Sequence, residues 1–319
     1  MAYKPRHLMT LFLPALLLAG FAVSCTDTDV LPDAGTPSID FGTPALTRGV
    51  VTSVADMDVF DVWGWYKPTK GSETATDTQV FNATPVTKKG DSWKYDNPQR
   101  WLLGNTYRFY AVYPSVGATN KGYESASYDK DGNLTITNFD CTKGVDLMTA
   151  SQNCVADKMV ENATPVTFTF KHLLARVNIV GHSEGGKANI TSASLTNVAI
   201  EGDYKGQQWQ ISESNDEYPI VSNFELPPVP TDISGDLLLL PQNVSGIKLC
   251  IEYQYPGIVD SDGNPISKEI TYSLPVSIQD WEAGMSYKYS FTLIGDYIIF
   301  DVPQVNEWNE ASGGIIIVD

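Results

Sequence analysis

From residue 59 to the end of the chain, apolar residues return at every second position in short runs, and clusters of Gly, Pro, Asn and Asp separate the runs. Period two places alternate side chains on one face, which is the pattern of a half-buried β-strand. The clearest runs are Val59–Tyr66 (VFDVWGWY), Thr106–Tyr113 (TYRFYAVY), Val166–Val180 (VTFTFKHLLARVNIV), Ala193–Glu201, Ile247–Tyr255 and Tyr287–Ile294 (YKYSFTLI). They are rich in Tyr, Phe, Trp, Val and Thr, which suit a pleated surface. No stretch carries a convincing long helix. Cys154–Asn162 has weak helical spacing and reads as a short connection. The pattern therefore restricts the chain to an all-β fold. Two turns are strongly marked, Asp129-Lys130-Asp131-Gly132-Asn133 and Asp260-Ser261-Asp262-Gly263-Asn264. Asp-Gly supplies the positive φ that tight hairpins need. A calcium loop of the EF-hand kind would have Gly sixth and Glu twelfth. Here Gly is fourth and strands flank it, so both segments read as hairpins.

Length and charge narrow the function. At 319 residues the chain has material for two domains. The composition gives 21 Lys and Arg against 38 Asp and Glu, a net charge of −17. That surface excludes a sequence-independent grip on nucleic acid, which needs cations to displace counterions. It does not favour adhesion to anionic lipid either. No nucleophile elbow, zinc helix, phosphate loop or dinucleotide motif occurs, so no catalytic residue, metal ligand or cofactor is assigned. His172 shares a strand face with Phe168 and Phe170 and reads as a core or seam residue; His182 lies beside a turn and reads as solvated. Carboxylate pairs spaced for glycoside hydrolysis occur in any acidic β protein and discriminate nothing. Trp63 with Trp65, and Tyr107 with Phe109, share strand faces and read as core. The alternative is a sugar-stacking platform built on Trp63 and Trp65 or on Trp93 and Tyr95.

The beginning of the chain is different in kind. Residues 1–24 read as an export signal, with Lys4 and Arg6 ahead of an apolar stretch from Leu8 to Val23. That stretch is shorter than the roughly 20 residues of a membrane span. Ala22-Val23-Ser24 then leads into Cys25 in the manner of a lipobox. Lipidation of Cys25 would anchor the chain stably; cleavage by ordinary signal peptidase is the other reading. Loss of Lys4 and Arg6 takes the net charge from −17 to −19. Three further cysteines, Cys141, Cys154 and Cys250, are an odd set and do not make a disulfide framework. Cys141 and Cys154 have a separation that permits pairing without requiring it. Residues 25–48 are polar and Pro-rich, a tether with a candidate first strand around Ile39-Asp40-Phe41. The strand pattern pauses before Pro165, which sets an N-terminal β-sandwich at 49–160 and a C-terminal one at 161–319.

Taken together these segments resemble the fimbrillin-like family, the type V pilus subunits of anaerobic Gram-negative bacteria. The resemblance is carried by the lipobox at Cys25 with Asp27 and Asp29 behind it, by the strand 59–66, by Trp93-Lys94-Tyr95 and by residues 100–114 (RWLLGNTYRFYAVYP). It continues through Asp146–Ala150 (DLMTA), Phe168–Val177, Leu237–Pro241, Trp281–Tyr287 (WEAGMSY) and Asn306-Glu307-Trp308. What the resemblance implies is two transthyretin-like β-sandwich domains in tandem and a lipoprotein precursor, palmitate-bearing at Cys25, in the outer membrane. An Arg-specific trypsin-like protease then cuts after the first strand, and a segment of another fimbrial subunit fills the groove. Arg48 in Ala45-Leu46-Thr47-Arg48-Gly49 is the matching processing site.

The tail Gly313-Gly314-Ile315-Ile316-Ile317-Val318-Asp319 pairs a flexible hinge with a β-branched run. Left uncovered, such a run is an aggregation hazard. Ile315, Ile316, Ile317 and Val318, within 314–319, are thus either donated to a neighbour or close their own domain. The expected role is a tip or stalk pilin of a surface fimbrium that supports adhesion and biofilm formation. The alternative is a lipid-anchored surface glycan-binding module that does not polymerise.

Overall fold

A computed structural model of the chain describes residues 36–46, 57–70, 75–156, 164–211, 216–308 and 316–317. The strand reading holds: the described residues form β-strands, one 3₁₀ turn at Cys141–Lys143, and no α-helix. The first sheet has the order β1 (Ala45–Leu46), β9 (Thr169–His172), β8 (Met148–Ala156), β5 (Asn105–Tyr113), β2 (Val59–Pro68), β3 (Thr78–Lys89) and β4 (Ser92–Lys94). A second sheet runs β15 (Thr231–Asp232), β10 (Ala175–Ser183), β21 (Met285–Ile294), β23 (Gln304–Glu307) and β24 (Ile316–Ile317). In it β16 (Leu237–Leu239) also pairs with β10, and β22 (Tyr297–Phe300) with β21. The third sheet is β14 (Asp216–Leu226), β11 (Ala188–Val198), β18 (Lys248–Val259) and β19 (Pro265–Ser273). The fourth is β13 (Gln208–Ile211), β12 (Glu201–Lys205), β7 (Leu134–Asp140) and β6 (Ser125–Tyr128), and β17 (Gln242–Asn243) pairs with β20 (Asp280–Trp281).

Alternation explains how β2 serves two cores. Phe60 and Val62 point into a cluster with Phe81, Tyr107, Phe109, Phe168 and Phe170. Trp63 and Trp65 point the other way, into a larger cluster that includes Ile136, Phe139, Leu174, Val177 and Trp308. Between those faces Gly64 makes room for aromatic rings. A Cβ there would meet Phe81 Cδ2 and Phe109 Cδ1, each at 2.9 Å.

The run 166–180 is not the single strand that its composition suggests. It breaks at Leu173-Leu174 into β9, in the first sheet, and β10, in the second. Three apolar residues in a row, Leu173, Leu174 and Ala175, abandon period two, and all three are buried at the bend. The step between sheets thus falls beyond the sequence-based division at 160/161. Strand β7 also pairs with β12 across that division. Residues Gly35–Asp319 together make one compact unit.

Both Asp-Gly segments are hairpin tips, joining β6 to β7 and β18 to β19. In each, the first Asp accepts the backbone N–H groups two and four residues on, and the side-chain amide of the closing Asn. This Asx arrangement uses the carboxylate to build the turn, and the bonds from Asn133 and Asn264 and the turn N–H groups hold the pKa values of Asp129 and Asp260 below the usual carboxylate value.

Candidate functional site

The segment 36–46, which composition marks as a tether, is seated in the first sheet's core. Ile39 and Phe41 alternate with exposed Asp40, and both are buried. On one side the segment meets β4 and the loop that follows it. Phe41 bridges Trp93 in antiparallel fashion and Ser38 bridges Arg100; Ile39 donates its N–H to Gln99 O at 2.8 Å, and Trp101 N–H reaches Pro37 O at 3.2 Å. On the other side it meets 166–170 in parallel. Val166 N–H donates to Asp40 O at 2.8 Å, Gly42 N–H to Val166 O at 2.9 Å and Ala45 N–H to Phe168 O at 2.8 Å. With β1 counted as part of this segment, β9 and β4 are the ends of the remaining sheet, and the segment joins them.

Side chains reinforce the closure. The Tyr95 hydroxyl accepts from Gln99 N–H at 3.0 Å and donates to Ile39 O at 2.7 Å. Burial pushes its phenol up to about 12, so it remains a donor at any physiological pH. Arg100 donates to Thr36 O. Gly42 lies so close to the facing strand that a Cβ would sit 2.7 Å from Thr167 Oγ1. The Phe41 ring stacks on Phe168 at 5.8 Å and meets Phe81, Tyr95 and Phe109 near edge-on at 5.5, 5.5 and 6.2 Å. Such pairings contribute beyond area burial alone.

A second feature pins the end of the last well-packed strand. Trp308 stacks on His172 at 3.8 Å with the rings 14° apart, and the Arg176 guanidinium lies 5.7 Å from the Trp308 ring. His172 Nδ1 faces Asp146 at 2.9 Å, while Arg176 Nε donates to Ser286 Oγ at 3.0 Å. His172 Nε2 and Trp308 Nε1 are buried and have no hydrogen-bond partner among the described residues. The sequence reading of His172 as a seam residue agrees with this placement. His182, read as solvated, is instead half-buried within β10 and within 3.3 Å of Thr292 Oγ1, because β10 extends to Ser183.

Of the sequence-predicted site residues, Cys25, Arg48, Ile315 and Val318 lie outside the described residues. Ile316 and Ile317 form β24 on the edge of their own second sheet, with Val305 opposite Ile316 and Gln304 opposite Ile317. Cys141, Cys154 and Cys250 are free thiols, so Cys141 and Cys154 are not bridged. The aromatic platform is absent: Trp63, Trp65 and Trp93 are 1, 7 and 3% exposed, and no sugar can stack on them. Tyr95, read from sequence only as part of a sugar platform, and Arg100 both hold the closing segment, a role that the sequence reading did not assign. The only local signal for the closing segment was the Ile39/Phe41 alternation, interrupted by Pro37, Gly42 and Pro44.

The fimbrillin-like family model matches residues 47–308, most of the chain and nearly all of the described β structure. The chain belongs to the fimbrillin-like family. Among solved structures, this fimbrillin-like chain is similar to a fimbrial protein from Bacteroides vulgatus at TM-score 0.61 and 19% identity. That match covers 85% of this chain and 100% of that one. It is also similar to a candidate cell adhesion protein from Bacteroides ovatus, at TM-score 0.52 and 17% identity over 87% of this chain and 99% of that one. At these identities the likeness shows the fold. Comparison with curated proteins finds no match. Family membership points to a fimbrial subunit at the cell surface.

Proposed function

We propose that this chain is a structural subunit, tip or stalk, of a surface fimbrium that assembles by protease-triggered strand exchange and supports adhesion and biofilm formation. The precursor is held in the outer membrane by lipid on Cys25 until an Arg-specific trypsin-like protease cuts at Arg48. The observation that carries this reading is the seat of segment 36–46. It lies just N-terminal to Arg48, yet it is the piece that closes the first sheet. A single cut in 47–56 turns an internal closing strand into a separable one.

Its departure would leave the N–H groups of Val166 and Trp101 and the carbonyls of Gln99, Val166 and Phe168 without these partners beside an apolar cleft, and would take from the Tyr95 hydroxyl the acceptor of its proton. Each buried polar group left without a partner costs about 1–3 kcal/mol. A replacement strand from another fimbrial subunit relieves that cost by β-augmentation, its backbone restoring the ladder and its alternate side chains filling the cleft. The tail around β24, linked to β23 by two residue pairs among the described residues, is the candidate donor to a subunit of a different kind.

The test is mild trypsin digestion of the purified full chain, with N-terminal sequencing and sedimentation. One cut after Arg48, followed by oligomers, is expected, and Arg48→Ala should abolish both. A chain cut at Arg48 that stays monomeric while retaining 36–46 would overturn strand exchange.

A further inference from the structure

We infer that the cleft closed by segment 36–46 selects its replacement by side chain, and that its matched occupant is not this chain's own tail. The inference rests on the strand-exchange reading above and names the partner that reading requires. The cleft accepts an extended segment bearing an aliphatic residue, then any residue, then an aromatic ring, with glycine fitting most readily next.

Each position follows from a contact. The aromatic site is a box of four rings around Phe41: Phe168 stacks against one face at an interplanar angle of 15°, while Phe81, Tyr95 and Phe109 approach at 66–86°. One stacked and three edge-on neighbours fit a flat ring, and a branched aliphatic leaves part of that volume empty. Two residues earlier, Ile39 is fully buried on the same face. One residue later, the Cβ position of Gly42 lies 2.7 Å from Thr167 Oγ1, so glycine fits directly and a larger residue requires the exposed Thr167 side chain to turn away. The backbone adds a constraint. The N–H groups at 39, 42 and 45 all donate to neighbouring carbonyls, so proline is barred there, whereas the native segment carries its prolines at 37 and 44.

Residues 309–319 read Asn-Glu-Ala-Ser-Gly-Gly-Ile-Ile-Ile-Val-Asp. They offer aliphatics in plenty but no ring. With Ile315 at the Ile39 site, Ile317 would fall in the aromatic box and Val318 against Thr167. The box would be underfilled, and Val318 would require the Thr167 side chain to turn away. A cleft with this shape favours a different subunit as donor over a second copy of this chain, so growth alternates partners or ends at a specific junction.

The experiment uses the full chain with an engineered protease site within residues 47–56, cut to completion, so that it does not depend on Arg48. Fluorescently labelled peptides are exchanged into the cut chain and followed by anisotropy. The peptides are residues 36–46, the same with Phe41→Ala, residues 309–319, and residues 309–319 with Ile317→Phe and Val318→Gly. The native peptide should enter. Phe41→Ala should weaken it by at least about 100-fold, as expected for emptying a buried aromatic site. The tail peptide should bind comparably weakly, and its double variant should regain at least about 10-fold. A tail peptide that binds as tightly as 36–46, or a Phe41→Ala loss below about 10-fold, overturns the selectivity. Failure of every peptide to enter, the native one included, instead overturns strand exchange and the selectivity with it.

Discussion

Gly64→Ala probes the floor of the aromatic box without touching the segment that occupies it. Two effects oppose each other. Alanine costs less backbone entropy than glycine in a strand, which favours the variant by about 0.5–1 kcal/mol. Against this, the new methyl meets Phe81 Cδ2 and Phe109 Cδ1 at 2.9 Å and Phe109 Cε1 at 3.2 Å. Neither ring has room to yield. Phe81 packs on Phe41, Tyr95 and Phe109, and Phe109 packs on Trp101, Tyr107 and Phe41. Overpacking of a dense core costs about 1–3 kcal/mol, so the net expectation is destabilisation of about 1–2 kcal/mol. Because both displaced rings touch Phe41, the loss should concentrate on segment 36–46. Urea unfolding measures the total. Amide exchange at Ile39, Gly42, Ala45, Trp101 and Val166 locates it, and these amides should lose protection first. A variant as stable as the parent, with those amides unchanged, would refute the packing described for the box.

Further expectations concern other parts of the fold. Asp61 is buried and accepts from Ser115 Oγ at 3.0 Å and from Val116 N–H; burial raises its carboxyl above the ordinary value of 3.8, against the lowering pull of those bonds and of Lys121. The folded state therefore holds this proton to higher pH than the unfolded chain, so the Asp61 contribution to stability is greatest below the ordinary carboxylate range and is lost as pH rises through the raised value. Asp61→Asn should flatten that slope in urea midpoints measured from pH 4 to 7; an unchanged slope would contradict the assignment. Asp140, whose carboxyl is lowered by bonds from Thr142 and Lys143, acts in the opposite sense and loses its contribution at the acid end. Trp308→Ala, which removes the ring between His172 and Arg176, should cost about 3–5 kcal/mol in urea, and a loss under 1 kcal/mol would show that the stack carries no load. Asp129→Ala and Asp260→Ala should each lower the urea midpoint through the lost turn bonds, while added calcium should leave the parent melting temperature unchanged; a calcium-dependent rise would contradict the turn role.

The strands were legible because their signal is local. Val59–Tyr66, Thr106–Tyr113 and Tyr287–Ile294 reappear as β2, β5 and β21 with ends displaced by at most two residues. The Asp-Gly hairpins were legible for the same reason. Where the reading ran out, the cause is long-range. Whether Leu173-Leu174-Ala175 continues a strand or bends depends on which core each Leu enters. Parallel pairing of 36–46 with 166–170 links parts of the chain more than 120 residues apart. No period in either segment encodes that pairing, and the prolines and glycine of 36–46 leave only the Ile39/Phe41 alternation to mark a candidate strand within a tether. The stack of Trp308 on His172 is hidden in the same way. Trp63, Trp65 and Trp93 read as core with a sugar platform as the alternative, and the burial of all three decides for the core.

The central claim is that segment 36–46 leaves this subunit during assembly and another strand takes its place. Mass mapping of the subunit within isolated surface filaments tests it most directly. The account predicts a mature N-terminus at Gly49, no peptide from residues 36–46, and protected amides at Trp101 and Val166 where a foreign strand now accepts their bonds. Filament subunits that begin at Cys25 and retain Ile39 and Phe41 in place would contradict it.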